Sequence, residues 1–167
     1  QNLRAAGPAF EEMLEAAGAS IASMPSSEVY TAMQTGVLDA ANTSSMSFIS
    51  FRLYEQVECL TEPGDFALWF MYEPILISEQ VWQGLNEEQQ AALMEAGEAA
   101  EAFFAEEAAA IDQEMVELYE ENGVEVVSMS EDDYNAWLEI ARETSYKNFA
   151  DNVPNGQAII DAALAVE

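Results

Sequence analysis

The sequence has no histidine, one cysteine and only four cationic residues, Arg4, Arg52, Arg142 and Lys147, in 167. Without histidine, His-based catalytic triads and His-containing zinc sites are excluded, and a lone cysteine cannot close an internal disulfide. Cys59, between Glu58 and Leu60, reads as a small buried hydrophobe rather than a nucleophile. Long apolar runs are missing too: Phe66–Tyr72 falls far short of the ~20 residues that span a bilayer. The chain opens on Gln1-Asn2-Leu3-Arg4 with neither an initiator Met nor a signal-peptide pattern. That opening is expected of a processed or truncated product whose targeting segment lay upstream.

Against the four cations stand 32 acidic residues, a formal net charge of −28. Such a surface repels phosphate backbones and anionic headgroups, so nucleic acid and membrane surfaces are poor partners. Half of the residues are apolar, enough to offset chain entropy, so the chain folds, and its length fits one domain. Acids spread along helix faces with a single lysine read first as a solvated surface suited to a salty medium, where counterions screen self-repulsion. Cation binding is the second reading, but Ser130-Glu131-Asp132-Asp133 lacks the alternating ligands and central Gly of a calcium loop. It reads instead as a helix start, with Ser130 as N-cap and acids in the positive first turn. No metal and no cofactor are expected.

Hydrophobic periodicity predicts an alternation of strands and helices. Leu3–Ala6 reads as a strand, followed by Gly7-Pro8 and a helix over Ala9–Ala17. A strand over Ser20–Met24 feeds a helix opened by Pro25 and stopped at Gly36, and Val37–Ala41 feeds a helix over Ser44–Val57. Thr61–Gly64 is a turn, and the apolar segment Phe66–Ile77 is the longest strand candidate, bent or confined to an edge by Pro74. Ser78 caps a short helix, and Asn86 opens a helix of ~37 residues, about 55 Å at 1.5 Å per residue, long enough to be bent or broken. Its stripe is Leu93, Ala96, Ala100, Phe104, Ala108, Ile111, Met115 and Leu118. Val124–Met129 is a strand, Glu131–Phe149 a helix, and Asn155-Gly156 precedes a last helix. The fold class is α/β.

Several of these residues form a recognisable set. Leu3-Arg4 with Gly7, Gly18-Ala19, the run from Met24-Pro25-Ser26-Ser27-Glu28-Val29-Tyr30 through Gln34-Thr35-Gly36 to Asp39-Ala40, and Tyr54-Glu55 resemble the second half of a TRAP-type (tripartite ATP-independent periplasmic) transporter solute-binding protein of the DctP family. The resemblance runs from Leu3 to about Val127 and weakens beyond Met129; family members are about twice this length. It implies a periplasmic-binding-protein-like lobe with a long connecting helix, the first lobe being largely missing. Residues 1–66 would form second-lobe βα units, 67–122 the crossing strand and a helix bridging towards the first lobe, and 123–167 the return. It also implies capture of a small organic acid in the periplasm and delivery to membrane permease subunits, without catalysis.

The resemblance places Arg4 against the ligand carboxylate, where a planar fork of donors suits bidentate recognition. The residues alone leave Arg4 open between that role and a surface ion pair; for Arg52, near Glu55, the ion pair is the preferred reading. At the position where the family often carries an aromatic wall the chain has Ser26. The family asparagine falls by count on Thr43, one residue past Asn42; either side chain can donate to a ligand oxygen, and the competing reading is helix N-capping by Thr43 or Ser44. Trp69 lies where the family chain lines the cleft, with Tyr72 as second choice; period two puts them on opposite faces. Two other readings compete with a binding protein: an acidic helical interaction module without a small ligand, and a carboxylate-based enzyme. Convergent carboxylates in an apolar pocket would favour the enzyme, and an exposed Arg4 with a covered Trp69 would favour the module.

The charge generates its own test. If the acidic surface is a salt adaptation, the melting temperature should rise with NaCl over the range where screening is incomplete. A melting temperature that is flat or falls with moderate NaCl removes the idea.

Overall fold

A computed structural model describes residues 1–69 and 74–165. A three-stranded parallel sheet has the order β2-β1-β3, formed by β1 (Asn2–Arg4), β2 (Ser20–Ile21) and β3 (Ala40–Ala41). Leu3 is the registration point, opposite Ile21 on one side and Ala40 on the other. Parallel neighbours need crossovers. These are α1 (Pro8–Ala16) and, between β2 and β3, a 3₁₀ turn (Ser26–Glu28) running into α2 (Val29–Gln34). Pro8 opens α1, where its missing N–H costs nothing. Val29, Leu38 and Leu53 form the buried cluster beneath this unit, with Met24, Tyr30, Met33 and Phe51 packed around it.

Helix α3 (Ser45–Ser50) starts at the N-cap Ser44, whose hydroxyl accepts from the Ser47 amide at 3.3 Å. It stops well before the expected Val57 because Arg52 adopts a left-handed backbone, φ 54°, which no helix can propagate. A 3₁₀ turn (Leu53–Glu55) then leads into β4 (Cys59–Thr61), which pairs in parallel with β5 (Glu125–Val127). Periodicity does not reveal the three-residue β4. In it Leu60 is buried and Cys59 exposed, so the strand alternation turns the cysteine outward, against the expectation of a buried hydrophobe.

The long helix is real and continuous: α5 (Glu87–Glu121) runs 35 residues without a break at Gly97, about 52 Å at 1.5 Å per residue. Asn86 and Gln89 form a reciprocal capping box at its start. At its end Gly123 takes φ 81°, letting the Val124 amide fold back on the Tyr119 carbonyl at 3.0 Å. The stripe is buried only in the last third. Met115 and Tyr119 join Leu60 and Val124 in a core flanked by Phe48, Ile49, Tyr54, Val57 and Val126, whereas Phe103 and Phe104 remain 65% and 54% exposed.

The expected strand over Phe66–Ile77 is not formed in the residues described on either side of 70–73; Ile75 and Leu76 are 84% and 83% exposed. Apolar content alone does not make a strand, which needs a partner for its backbone groups. Helix α4 (Glu79–Gly84) follows, capped by Ser78 as expected. The C-terminal region comprises α6 (Glu131–Ala141), a π-helical turn (Arg142–Tyr146), α7 (Lys147–Asn152) and α8 (Gly156–Leu164). The wide turn divides what the sequence presented as one helix to Phe149. It packs against α1, to which Asn148 is also tied through Glu12 at 2.8 Å.

Two glycines separate packing from propensity. A Cβ on Gly156 would meet the Phe149 carbonyl oxygen at 2.5 Å and the Ala150 Cα at 2.9 Å, both backbone; on Gly97 it would meet nothing within 4 Å. Gly156→Ala should destabilise by about 1–3 kcal/mol through overpacking, and Gly97→Ala should stabilise by about 0.5–1 kcal/mol through helix propensity. Urea unfolding reads both, and an unchanged midpoint for Gly156→Ala would mean that α7 and α8 separate freely.

Candidate functional site

Arg4 is the last residue of β1, and its guanidinium reaches sideways across the carboxyl ends of both neighbouring strands. Nε donates to the carbonyl of Met24, in the loop after β2, at 3.1 Å; Nη1 donates to the carbonyl of Asn42, just after β3, at 2.8 Å. The Asn42 amide in turn donates to the Arg4 carbonyl at 2.8 Å. One side chain thus ties three strand ends together. In open parallel sheets this end of the strands is where ligands bind, since the helix N-termini that follow add partial positive charge.

The guanidinium is half-buried, and burial pulls its pKa below the ordinary arginine value while the field of Glu11 partly offsets this. It remains a cation. Among the described residues the one ion pair is Arg52 with Glu55, so no described carboxylate lies within ion-pair distance of Arg4. The two carbonyls fix the fork and leave Nη2 with no protein acceptor among the described residues.

The remaining candidates divide by position. Asn42 is half-buried beside Arg4, and its buried Oδ1 has no hydrogen-bond partner among the described residues. Thr43, at 7% exposure, is turned into the protein. Ser44, not Thr43, caps α3. Ser26 stands two residues past the Met24 carbonyl, half-buried at the head of its 3₁₀ turn. Trp69 is half-buried, with no hydrogen bond or ring contact to Arg4 among the described residues, and Tyr72 lies outside the described residues. Sequence reasoning missed the two backbone carbonyls that hold Arg4; no side-chain pattern announces a carbonyl.

Arg52 is the exposed ion-pair residue the sequence suggested: its Nη2 donates to Glu55 Oε1, while Tyr30 donates to Glu55 Oε2 at 2.8 Å. This group ties Tyr30 of the Ser-Glu-Val-Tyr run to Tyr54-Glu55. It lines a shallow cleft of about 310 Å³ with Ser50 and Phe51, and a second cleft of similar volume lies between Glu62, Phe66 and Ser128; neither includes Arg4. Among the described residues no group of three acidic or cysteine side chains is placed to hold a metal, and no helix is long and apolar enough to cross a membrane.

The chain is similar to known proteins in both sequence and fold. The family model for bacterial extracellular solute-binding protein, family 7 (DctP), matches residues 1–152, well past the point where the motifs thin out. A curated solute-binding protein of Albidiferax ferrireducens is 40% identical over 147 residues, covering 88% of this chain and 44% of that protein. The crystal structure of a TRAP periplasmic solute-binding protein from Rhodoferax ferrireducens with bound malonate superposes with a TM-score of 0.86 at 36% identity, over 99% of this chain and 55% of the other. A Sulfitobacter relative with bound β-D-galacturonate shares the fold, with a TM-score of 0.76 at 20% identity over 96% and 52% of the two chains. The chain therefore spans about half the length of the relatives it matches.

The Tyr30–Glu55 bond has a pH consequence. The carboxylate beside it, with a smaller contribution from burial, raises the Tyr30 phenol above the ordinary tyrosine value. A group raised on folding contributes stability that is full below its unfolded pKa, about 10, and is lost as pH climbs through the folded value. Tyr30→Phe should lower the melting temperature at neutral pH, and the deficit should shrink above pH ~10. A deficit independent of alkaline pH would assign it to packing alone.

Proposed function

The chain belongs to the family 7 bacterial extracellular solute-binding proteins, receptors rather than enzymes, and on that premise we propose that it forms the part of a periplasmic receptor that grips the carboxylate of a small organic acid through Arg4, for delivery to a TRAP-type membrane permease. The observation that carries this reading is the held fork. A half-buried cation without an ion-pair partner among the described residues is costly unless an anion completes it, and a fork fixed by two carbonyls loses little entropy when one arrives. Asn42 is the better placed of the two adjacent candidates for a second polar contact, because Thr43 is buried. Ser26 borders the same strand ends, and Trp69 and Tyr72 are proposed for the wall contributed by the crossing segment.

In this reading residues 1–66 supply the anion grip, 67–122 cross towards a preceding half such as the relatives carry, and 123–167 return. The exposed Phe103, Phe104, Leu93 and Met94 on α5 fit that arrangement, being apolar surface of the kind that a neighbouring unit covers. The malonate of the Rhodoferax relative and the galacturonate of the Sulfitobacter relative both carry carboxylates, which makes a carboxylic acid the class to test first. The interaction-module reading is disfavoured by Arg4, which is half-buried at the strand ends.

With this chain joined behind the preceding half of the malonate-bound relative, Arg4→Ala should cost on the order of 2–5 kcal/mol of acid affinity by calorimetry. Arg4→Lys should recover only part, since an ammonium keeps the charge and loses the two-pronged geometry. An Arg4→Ala protein that folds and binds with unchanged affinity would place the anion elsewhere.

A further inference from the structure

The Asn42 carbonyl that orients Arg4 belongs to a short loop, and that loop has an anchor far away in sequence. Ser45, in the first turn of α3 and three residues past Asn42, donates its hydroxyl to Oδ1 of Asp112 on α5, a half-buried contact across 67 positions. The loop has three other restraints: the Asn42 amide on the Arg4 carbonyl of β1 fixes its start, and the burial of Thr43 and the Ser44 cap act within it. Farther along, α3 is held against α5 by the Tyr119 hydroxyl on the Phe48 carbonyl at 3.4 Å and by the edge-on Phe48–Tyr119 ring pair, but these act on its interior, not on its first turn. Among the described residues the Asp112 contact is the side-chain hydrogen bond that ties the first turn of α3 to α5, next to the loop whose Asn42 carbonyl holds Arg4.

We infer that Asp112 is a positioning residue for the Arg4 fork: through Ser45 it fixes the loop at 42–45, and so sets the direction in which the guanidinium meets a carboxylate. The inference rests on the proposed role of Arg4 and adds a residue to it. Asp112 has no ion-pair or hydrogen-bond contact with Arg4 in the described structure, so it acts through the backbone. Its charge argues in the opposite direction. A carboxylate near an anion site weakens anion binding by repulsion, so removing it should tighten binding if electrostatics were its whole effect, and should loosen binding if it holds the loop.

The two are separable in the chain as it stands. Isotope-labelled protein is titrated with sodium acetate into the tens of millimolar, following the Arg4 Nε–H and Asn42 amide resonances, with sodium chloride at matched ionic strength as control. Asp112→Ala and Ser45→Ala should each weaken acetate binding by about three- to tenfold and shift the free Arg4 Nε–H resonance. The double variant should be no weaker than either single one, since both remove the same bond. Asp112→Asn keeps an acceptor for Ser45 without the charge and should bind as well as the parent or better. Tighter binding in Asp112→Ala, additive losses in the double variant, or equal losses in Asp112→Asn and Asp112→Ala would each overturn the inference. If Asp112→Ala fails to fold, Ser45→Ala decides alone: an unchanged acetate affinity overturns it. Should the parent chain show no acetate-specific shift at Arg4, the site assignment itself falls, an outcome distinct from a responsive parent with unresponsive variants.

Discussion

Tyr119 is the joint on which the rest of the lobe turns. It is fully buried near the end of α5, with its ring edge-on to both Phe48 and Tyr54 at centroid distances of 6.0 and 5.8 Å. Aromatic pairs in this geometry add to the burial they share. Its hydroxyl reaches the Phe48 carbonyl, and its own carbonyl accepts the Val124 amide that starts the approach to β5. Burial pushes its phenol well above the ordinary tyrosine range, with a smaller contribution from Tyr54. One residue therefore sets the seat of the long helix on α3, the turn into β5 and the packing of the segment leading to β4. The strand ends that carry Arg4 lie beyond it, reached through α3.

That joint also explains the asymmetry of α5. A helix gains most of its stability in proteins from the packing of an apolar face, and only the final third of this one is packed. The remainder persists through its capping box and its alanine and glutamate content, both favourable to helix, while its phenylalanines face solvent. The charge follows the same division: acids decorate the helix without a single cation in Glu87–Glu121, and like charges there oppose association.

The local features were legible in the sequence where a residue type has one mechanical meaning. Ser44, Ser78, Asn86 and Ser130 all cap helices, and the acids after Ser130 lie in a first turn. Strands were harder. Cys59-Leu60-Thr61 is too short to show alternation, which hides β4 in the sequence, whereas the apolar content of Phe66–Ile77 predicts a strand that the described residues on either side of 70–73 do not form. Helix ends set by backbone shape also escaped: neither the left-handed Arg52 nor the π turn at Arg142–Tyr146 follows from side-chain preference. At the site, Arg4 stood out because cations are scarce and a Gly-Pro turn follows shortly after it. Its holders did not, because two are backbone carbonyls and the Ser45–Asp112 contact joins residues 67 apart.

An anion grip as proposed at Arg4 would have to work in a protein with 28 excess negative charges, and screening and burial bear on that conflict. At physiological ionic strength the Debye length is about 8 Å, so exposed acids farther than that from Arg4 are largely screened there, while Glu11 lies near enough for its field to reach the guanidinium. Arg4 itself is half-buried, where screening by salt is less effective and a contact at hydrogen-bond distance outweighs many remote charges. The repulsion falls instead on anions that lack a geometric match, which find no other described cation unpaired at the strand ends. In the proposed role, selectivity would come from the fork's fixed direction more than from net charge, and the carbonyls of Met24 and Asn42 that set this direction would matter as much as the guanidinium they hold.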